Sequence, residues 1–149
     1  MDKLAIIFIG IQASGKTTFY KKYFSDYVHI NLDTLHTRNK EDKLLKECVD
    51  QEKSFVVDNT NPTRENRAKY ITLAKEHGYS IIGYYLRSSI SESIKRNSKR
   101  TGKAFVPEAA IANTLNKLEL PDYDEGFDEL HYVHIEKRKF IIEDWDTSK

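Results

Sequence analysis

Cysteine, proline and glycine are scarce in this chain: one, three and six in 149 residues. A single thiol, Cys48, excludes an intrachain disulfide framework and fits a reducing compartment. It sits in a helical pattern, where inert packing is expected rather than nucleophilic chemistry. Low-complexity stretches, internal repeats and linkers are absent, and one globular domain over residues 1–149 is expected. No excess of either charge exists either: the formal net charge is +1, so any nucleic-acid role must rest on local patches. Leu4–Ile9, the first apolar run, is only six residues long. That is too short to cross a bilayer and wrongly flanked for a secretory signal, so a cytoplasmic protein with no membrane partner is expected. The five histidines (His29, His36, His77, His131 and His134) show no metal-ligand spacing. Trp145 and the tyrosines read as packing residues rather than base-stacking platforms.

What is present is a regular alternation of strand-like and helix-like segments. Leu4–Ile9 reads as a strand buried on both faces, ending at Gly10, and residues 15–24 read as a helix. Tyr27–Ile30 and Ser54–Val57 read as short strands on either side of a helix over Asn39–Glu52, whose Leu44, Leu45, Cys48 and Val49 have helical spacing. Asn61 is expected to cap a further helix with Pro62 at its first position, and His77-Gly78 to close it. Ser80–Leu86 reads as a strand, Ser89–Arg100 as a basic helix and Pro107–Leu118 as another helix. Glu129–Ile135 reads as a strand, and Lys139–Ile142 as a possible short addition. The alternation implies βαβ crossovers: an α/β fold whose parallel sheet of about five strands carries helices on both faces.

Gly10-Ile-Gln-Ala-Ser-Gly15-Lys16-Thr17 matches G-x-x-x-x-G-K-[ST], flanked by a strand before and a helix after. The glycines let backbone N–H groups turn towards phosphate oxygens, and the helix N-terminus adds positive potential. Gly10, Gln12, Ala13, Ser14, Gly15, Lys16, Thr17 and Thr18 are therefore the expected nucleotide-binding residues. Lys16 would reach the terminal phosphates of ATP, and Thr17 would ligate Mg²⁺. Asn39-Lys40-Glu41-Asp42 spells the N-K-x-D string that reads guanine in GTPases. It stands before a helix instead of after a late strand, so it reads as a decoy with Asn39 as a helix cap.

Other residues turn a binding loop into a transfer site. Asp33 follows the second strand, at the sheet end where ligand groups gather, and is the expected base that orients an attacking hydroxyl. A turn or cap role is the alternative for such an aspartate. Asp58 ends an apolar strand, the arrangement that holds Mg²⁺ directly or through water. Arg96, Lys99, Arg100 and Lys103 recur at spacings that share one helix face. Beside a phosphate loop, that face is read as a closing lid over about residues 88–106, with Arg96 and Arg100 stabilising transferred charge. Little can be read for Arg87.

With these residues the chain resembles the 5′-hydroxyl polynucleotide kinase family, in its phage-type and animal kinase domains. Five segments carry the resemblance in order: Gly10–Thr17, Tyr27–Leu35, Val57-Asp-Asn-Thr-Asn-Pro62, Lys95-Arg-Asn-Ser-Lys-Arg100 with Val106-Pro107, and Glu125-Gly-Phe127. The resemblance implies an adenylate-kinase-like P-loop fold with strand order 2-3-1-4-5. It makes Asp33 the general base and Arg96 and Arg100 the lid arginines. It also implies transfer from ATP to a DNA or RNA 5′-hydroxyl, with no second catalytic module expected in these residues. Leu32 and His36 stand where family members often, or in some phage-type members, carry arginine. A small-molecule hydroxyl therefore stays open as acceptor, and a nucleotide-binding regulatory ATPase stays open as a third class. No protein partner is predictable.

Overall fold

The computed structural model describes residues 3–12, 14–87, 95, 108–137 and 139–145. The basic face with Arg96, Lys99, Arg100 and Lys103 lies outside the described residues, as do Val106-Pro107 and Ala13. Of the lid segment only Arg87 at its threshold and the exposed, helical Lys95 are described.

Apolar alternation along β1 (Leu4–Ile9) dictates the layering, because successive strand side chains point to opposite faces. Ala5, Ile7 and Ile9 enter one core with Leu45, Cys48 and Val49 of α3 (Arg38–Asp50) and Tyr70, Ile71 and Ala74 of α4 (Arg64–Glu76). Ile6 and Phe8 enter the other with Phe19 and Tyr20 of α1 (Lys16–Tyr23). β1 is thus sandwiched, and the three-layer expectation holds.

Its neighbours are β3 (Phe55–Val57) and β4 (Ser80–Leu86), both parallel to it. β2 (Val28–Ile30) pairs with β3, and β5 (Glu129–Glu136) with β4, also in parallel. The order is β2-β3-β1-β4-β5-β6, so the expected 2-3-1-4-5 core is present. It is extended by β6 (Lys139–Asp144), which runs antiparallel to β5 from the pair Glu136↔Lys139 to His131↔Asp144. Two further α-helices, the single turn α2 (Leu32–Leu35) and α5 (Glu108–Lys117), and a 3-10 turn over Tyr123–Glu125 complete the described elements.

Two expected caps are corrected. Helix α3 starts at Arg38 and is capped by Thr37, whose hydroxyl accepts the Lys40 N–H at 3.1 Å; Asn39 lies inside the helix. Helix α4 starts at Arg64, not Pro62, and Thr63 caps it through the Asn66 N–H. Asn61 is instead buried at φ 45°, donating from Nδ2 to the Phe8 carbonyl at 2.8 Å. Both threonines offer the short β-region side chain that a cap requires. The stop at His77-Gly78 is as expected, with Gly78 at φ 75°.

The Glu125-Gly126-Phe127 segment proves to be scaffold. Arg67 is fully buried and forks onto Glu125, Nε to Oε1 at 2.8 Å and Nη2 to Oε2 at 3.1 Å. Its remaining donor, Nη1, serves the carbonyls of Asn61 and Glu119 at 3.0 Å each. Phe127 is buried in the α3–α4 core. This buried pair ties α4 to the segment entering β5.

Cys48 is buried as expected, and burial pushes its thiol up to about 11. Trp145 packs on the same core, its ring centroid 5.4 Å from that of Tyr85. Among the described residues no helix is long and apolar enough to cross a membrane.

Two outcomes follow from this packing. Arg67→Met leaves Glu125 as an uncompensated buried charge and should lower unfolding free energy by about 3–5 kcal/mol in urea titration, whereas Arg67→Met with Glu125→Leu should recover only part of it, because the Asn61 and Glu119 carbonyls still lose their donor. Because only the thiolate is nucleophilic, Cys48 should resist iodoacetamide in the folded protein at mildly alkaline pH and react once unfolded, as read by mass spectrometry.

Candidate active site

The loop after β1 is shaped by two different demands on its glycines. Gly15 adopts φ 98° immediately before α1, a conformation that costs an L-residue roughly 1–2 kcal/mol. Gly10 has no room for a side chain: a β-carbon there would lie 2.8 Å from the Leu86 carbonyl oxygen and 2.9 Å from Ser14 Oγ. The close approach of β4 therefore selects the first glycine, and backbone conformation the second.

Lys16 is buried, and its ammonium donates to the carbonyls of Gly10 and Ile11 at 3.0 and 2.8 Å, with Ser14 Oγ at 3.3 Å. The charge is thus held inside the curl of the loop, over the first turn of α1. That turn's leading N–H groups have no intrahelical acceptor, which makes the loop and helix start an anion site.

Asp58 sits at the carboxyl end of β3 and is buried. Its Oδ2 accepts hydrogen bonds from the Thr17 hydroxyl at 2.9 Å and from His29 Nε2 at 2.7 Å. The second contact fixes the tautomer, since a carboxylate can only accept. His29 is itself stacked on Tyr20, centroids 3.9 Å apart and planes 16° from parallel. Nothing in the sequence alone marked His29: it meets Asp58 only because β2 and β3 are neighbours, in the register His29↔Val56.

Asp58 Oδ1 is buried without a hydrogen-bond partner. An anionic oxygen in that condition is costly unless a cation satisfies it. Beside the Thr17 hydroxyl it fits Mg²⁺, which takes one or two protein oxygens and completes its shell with water and phosphate. Among the described residues no cluster of three His, Cys, Asp or Glu forms a cage for a metal, which Mg²⁺ at a phosphate site does not need.

Asp33 lies on α2, exposed, and that turn is pinned at its start. Asn31 caps it through the Thr34 N–H at 3.2 Å while donating its Nδ2 to the Asp58 carbonyl at 2.8 Å. The Leu32 N–H donates to Asn59 Oδ1 at 3.0 Å. A cleft of about 350 Å³ results, lined by Gln12, Gly15, Lys16 and Thr17 of the loop, Asn31, Leu32 and Asp33 of the α2 turn, and Asp58, Asn59 and Thr60 of the strand end.

The structure therefore brings together Gln12, Gly15, Lys16, Thr17, Asp33 and Asp58. Gly10 and Ser14 are buried within the loop, while Thr18 is exposed on α1 and does not line the cleft. Leu32, Asn59 and Thr60 are lining residues that the motif reading had not assigned. The N-K-x-D string lies within α3 and does not line the cleft; Glu41 is buried inside the fold and Asp42 pairs with Lys69 at 2.6 Å.

Gly15→Ala should abolish the thermal shift induced by a nucleoside triphosphate and destabilise the free protein by about 1 kcal/mol, both read by differential scanning fluorimetry.

Residues 6–121 match the family described as AAA domain. A bifunctional polynucleotide phosphatase/kinase of Schizosaccharomyces pombe is 30% identical over 148 residues, covering 95% of this chain and 36% of that protein. A protein of Acanthamoeba polyphaga mimivirus, provisionally named for the same pair of activities, is 33% identical over 98% of this chain and 37% of its own length. The chain thus spans little more than a third of these two relatives. The L-seryl-tRNA(Sec) kinase of Methanococcus maripaludis is 25% identical over 84% of this chain and 56% of its own. Among solved structures, Chaetomium thermophilum Kti12 in complex with ADP-AlF3 shares the fold with a TM-score of 0.70 at 16% identity, over 87% of this chain and 88% of that one. With the family model matched across its loop, α2 turn and strand end, the chain belongs to the AAA domain family and is a P-loop kinase domain.

Proposed function

We propose that this domain transfers the γ-phosphoryl group of ATP to the 5′-hydroxyl end of a DNA or RNA strand. The observation that carries the reading is the cleft shared by Asp33 and the Gly15-Lys16-Thr17 turn, with Asp58 on its wall. Phosphoryl transfer demands positioning and charge stabilisation more than covalent chemistry. Lys16 and the start of α1 hold the β- and γ-phosphates. Thr17 and Asp58 would hold Mg²⁺, which would supply neutralising charge at the phosphate oxygens. Asp33 accepts the hydrogen bond of the incoming hydroxyl, aligns it with the γ-phosphorus and takes its proton as the P–O bond forms. Arg96 and Arg100 serve as lid arginines on this reading, which rests on their spacing and on the family resemblance. The acceptor is inferred from the Asp58-Asn-Thr-Asn-Pro and Lys95-Arg-Asn-Ser-Lys-Arg strings, and from the names of the two relatives above 30% identity or at it.

A second reading has its own support: Leu32 lines the cleft and His36 closes the α2 turn where an arginine would favour an acceptor phosphate. On that reading the acceptor is a hydroxyl without a neighbouring phosphate on the enzyme's grip, as in a small metabolite.

The test is transfer of labelled γ-phosphate from ATP to matched 5′-hydroxyl DNA, RNA and mononucleotide acceptors, with a metabolite panel alongside. Labelled oligonucleotide ends are expected, weakening as salt rises. Product only from the panel would move the assignment to the second reading. Asp33→Asn should lower kcat by roughly 10²–10⁴-fold while leaving ATP binding intact. Unchanged turnover in that variant would remove Asp33 from the mechanism.

A further inference from the structure

The N-K-x-D string sits within α3, outside the cleft lining, and contains a fully buried acid. Glu41, on the first turn of α3, is 0% exposed and sits among four donors. Its Oε1 accepts from Lys69 Nζ at 2.8 Å and Arg38 Nη1 at 3.2 Å, and its Oε2 from Asn59 Nδ2 at 3.0 Å. The Tyr70 hydroxyl bridges both oxygens at 2.9 and 3.0 Å. That hydroxyl in turn accepts from Arg38 at 2.9 Å and Asn59 at 3.2 Å. Burial works to raise the Glu41 carboxyl, but the hydrogen bonds from Lys69, Tyr70 and Asn59 outweigh it and hold the group below its usual range. The cluster therefore contains a fixed anion.

Asn59 is where this anion meets the cleft. One end of its amide faces Glu41 and Tyr70, and the other accepts the Leu32 N–H. Leu32 N–H is an obligatory donor and Glu41 an obligatory acceptor, so only one orientation of the amide satisfies both. Flipped, Asn59 would set two donors against each other at Leu32 and two acceptors at Glu41. Leu32 is the first residue of the turn that carries Asp33.

We propose that Glu41 is a positioning residue for phosphoryl transfer: its buried carboxylate fixes the Asn59 amide, and through it the α2 turn that presents Asp33. The catalytic role of Asp33 rests on the function proposed above, whereas the coupling from Glu41 to Leu32 does not. Lys69 and Arg38 compensate the charge, and Tyr70 shares it with Asn59. Glutamine at position 41 offers a single oxygen to the same four donors and brings an NH₂ of its own. The cluster then no longer dictates which way Asn59 turns.

The experiment uses the full chain as wild type, Glu41→Gln, Asn59→Ala and the double variant. Amide hydrogen exchange at Leu32 in the free protein needs no acceptor. Protection there should fall about tenfold in both single variants, the worth of one hydrogen bond, with α4 core amides such as Ile71 unchanged. Unaltered Leu32 exchange in Glu41→Gln would overturn the proposal. In transfer assays kcat should fall about tenfold in either single variant with the ATP KM unmoved, and the double variant should be no worse than Asn59→Ala alone. Multiplying effects would show that Glu41 does not act through Asn59, and would overturn the proposal equally. Should Glu41→Gln not fold, Glu41→Asp keeps the charge, shortens the reach and carries the same expectations. If the wild type phosphorylates no 5′ end, the functional reading falls while the Leu32 exchange still decides the role of Glu41.

Discussion

The site depends on one buried carboxylate. Asp58 ends β3, yet its contacts reach three other parts of the chain: Thr17 at the start of α1, His29 on β2 and, through its backbone, Ile30 and Asn31. A buried anion tolerates few arrangements, because each missing donor costs the desolvation of a charge. Asp58 consequently fixes how the phosphate loop sits against the strands that carry the α2 turn. The β2-β3-β1 order is the geometric condition for this, since it sets β3 between the loop-bearing strand and the strand leading to Asp33. One oxygen of Asp58 is spent on this frame, and the other is buried with no hydrogen-bond partner among the described residues.

Much of the fold was legible because its constraints act locally. Leu4–Ile9 and Ser80–Leu86 were read with the boundaries the structure gives them, as strands with both faces covered leave continuous apolar runs. Gly10 and Gly15 were legible since a crowded backbone and a positive φ both exclude other residues. The caps were misread for a reason that is not local. Asn39 and Asn61 are good capping types, but Thr37 and Thr63 precede the helices actually formed, and Asn61 is claimed by the Phe8 carbonyl 53 residues away. His29 and Glu41 were illegible for the same reason. Their partners, Asp58 and Asn59, come from other elements, and no periodicity in the sequence announces such a meeting.

The segments that carried the family resemblance divide by what they do. Gln12, Gly15, Lys16, Thr17 and Asp33 line the cleft, whereas Glu125-Gly126-Phe127 does not and acts through the Arg67 fork and the α3–α4 core. A resemblance built partly on scaffold transfers the fold more securely than the acceptor.

The Asp58-Asn-Thr-Asn61 string shows why a short motif can be so restrictive. Asp58 serves Thr17 and His29, while Asn59 serves Glu41, Tyr70 and Leu32. The Thr60 carbonyl accepts the Gly10 N–H at 3.0 Å, and Asn61 binds Phe8 through its side chain and Arg67 through its carbonyl. Four consecutive residues thus reach the phosphate loop, both flanks of the α2 turn, β1 and α4. Substitution of Asp58, Asn59 or Asn61 removes side-chain bonds to other elements, whereas the Thr60 contact is made by the backbone. Glu41 extends that logic by one step: it does not itself line the cleft, but on the proposed coupling it leaves Asn59 a single way to face the turn that bears Asp33.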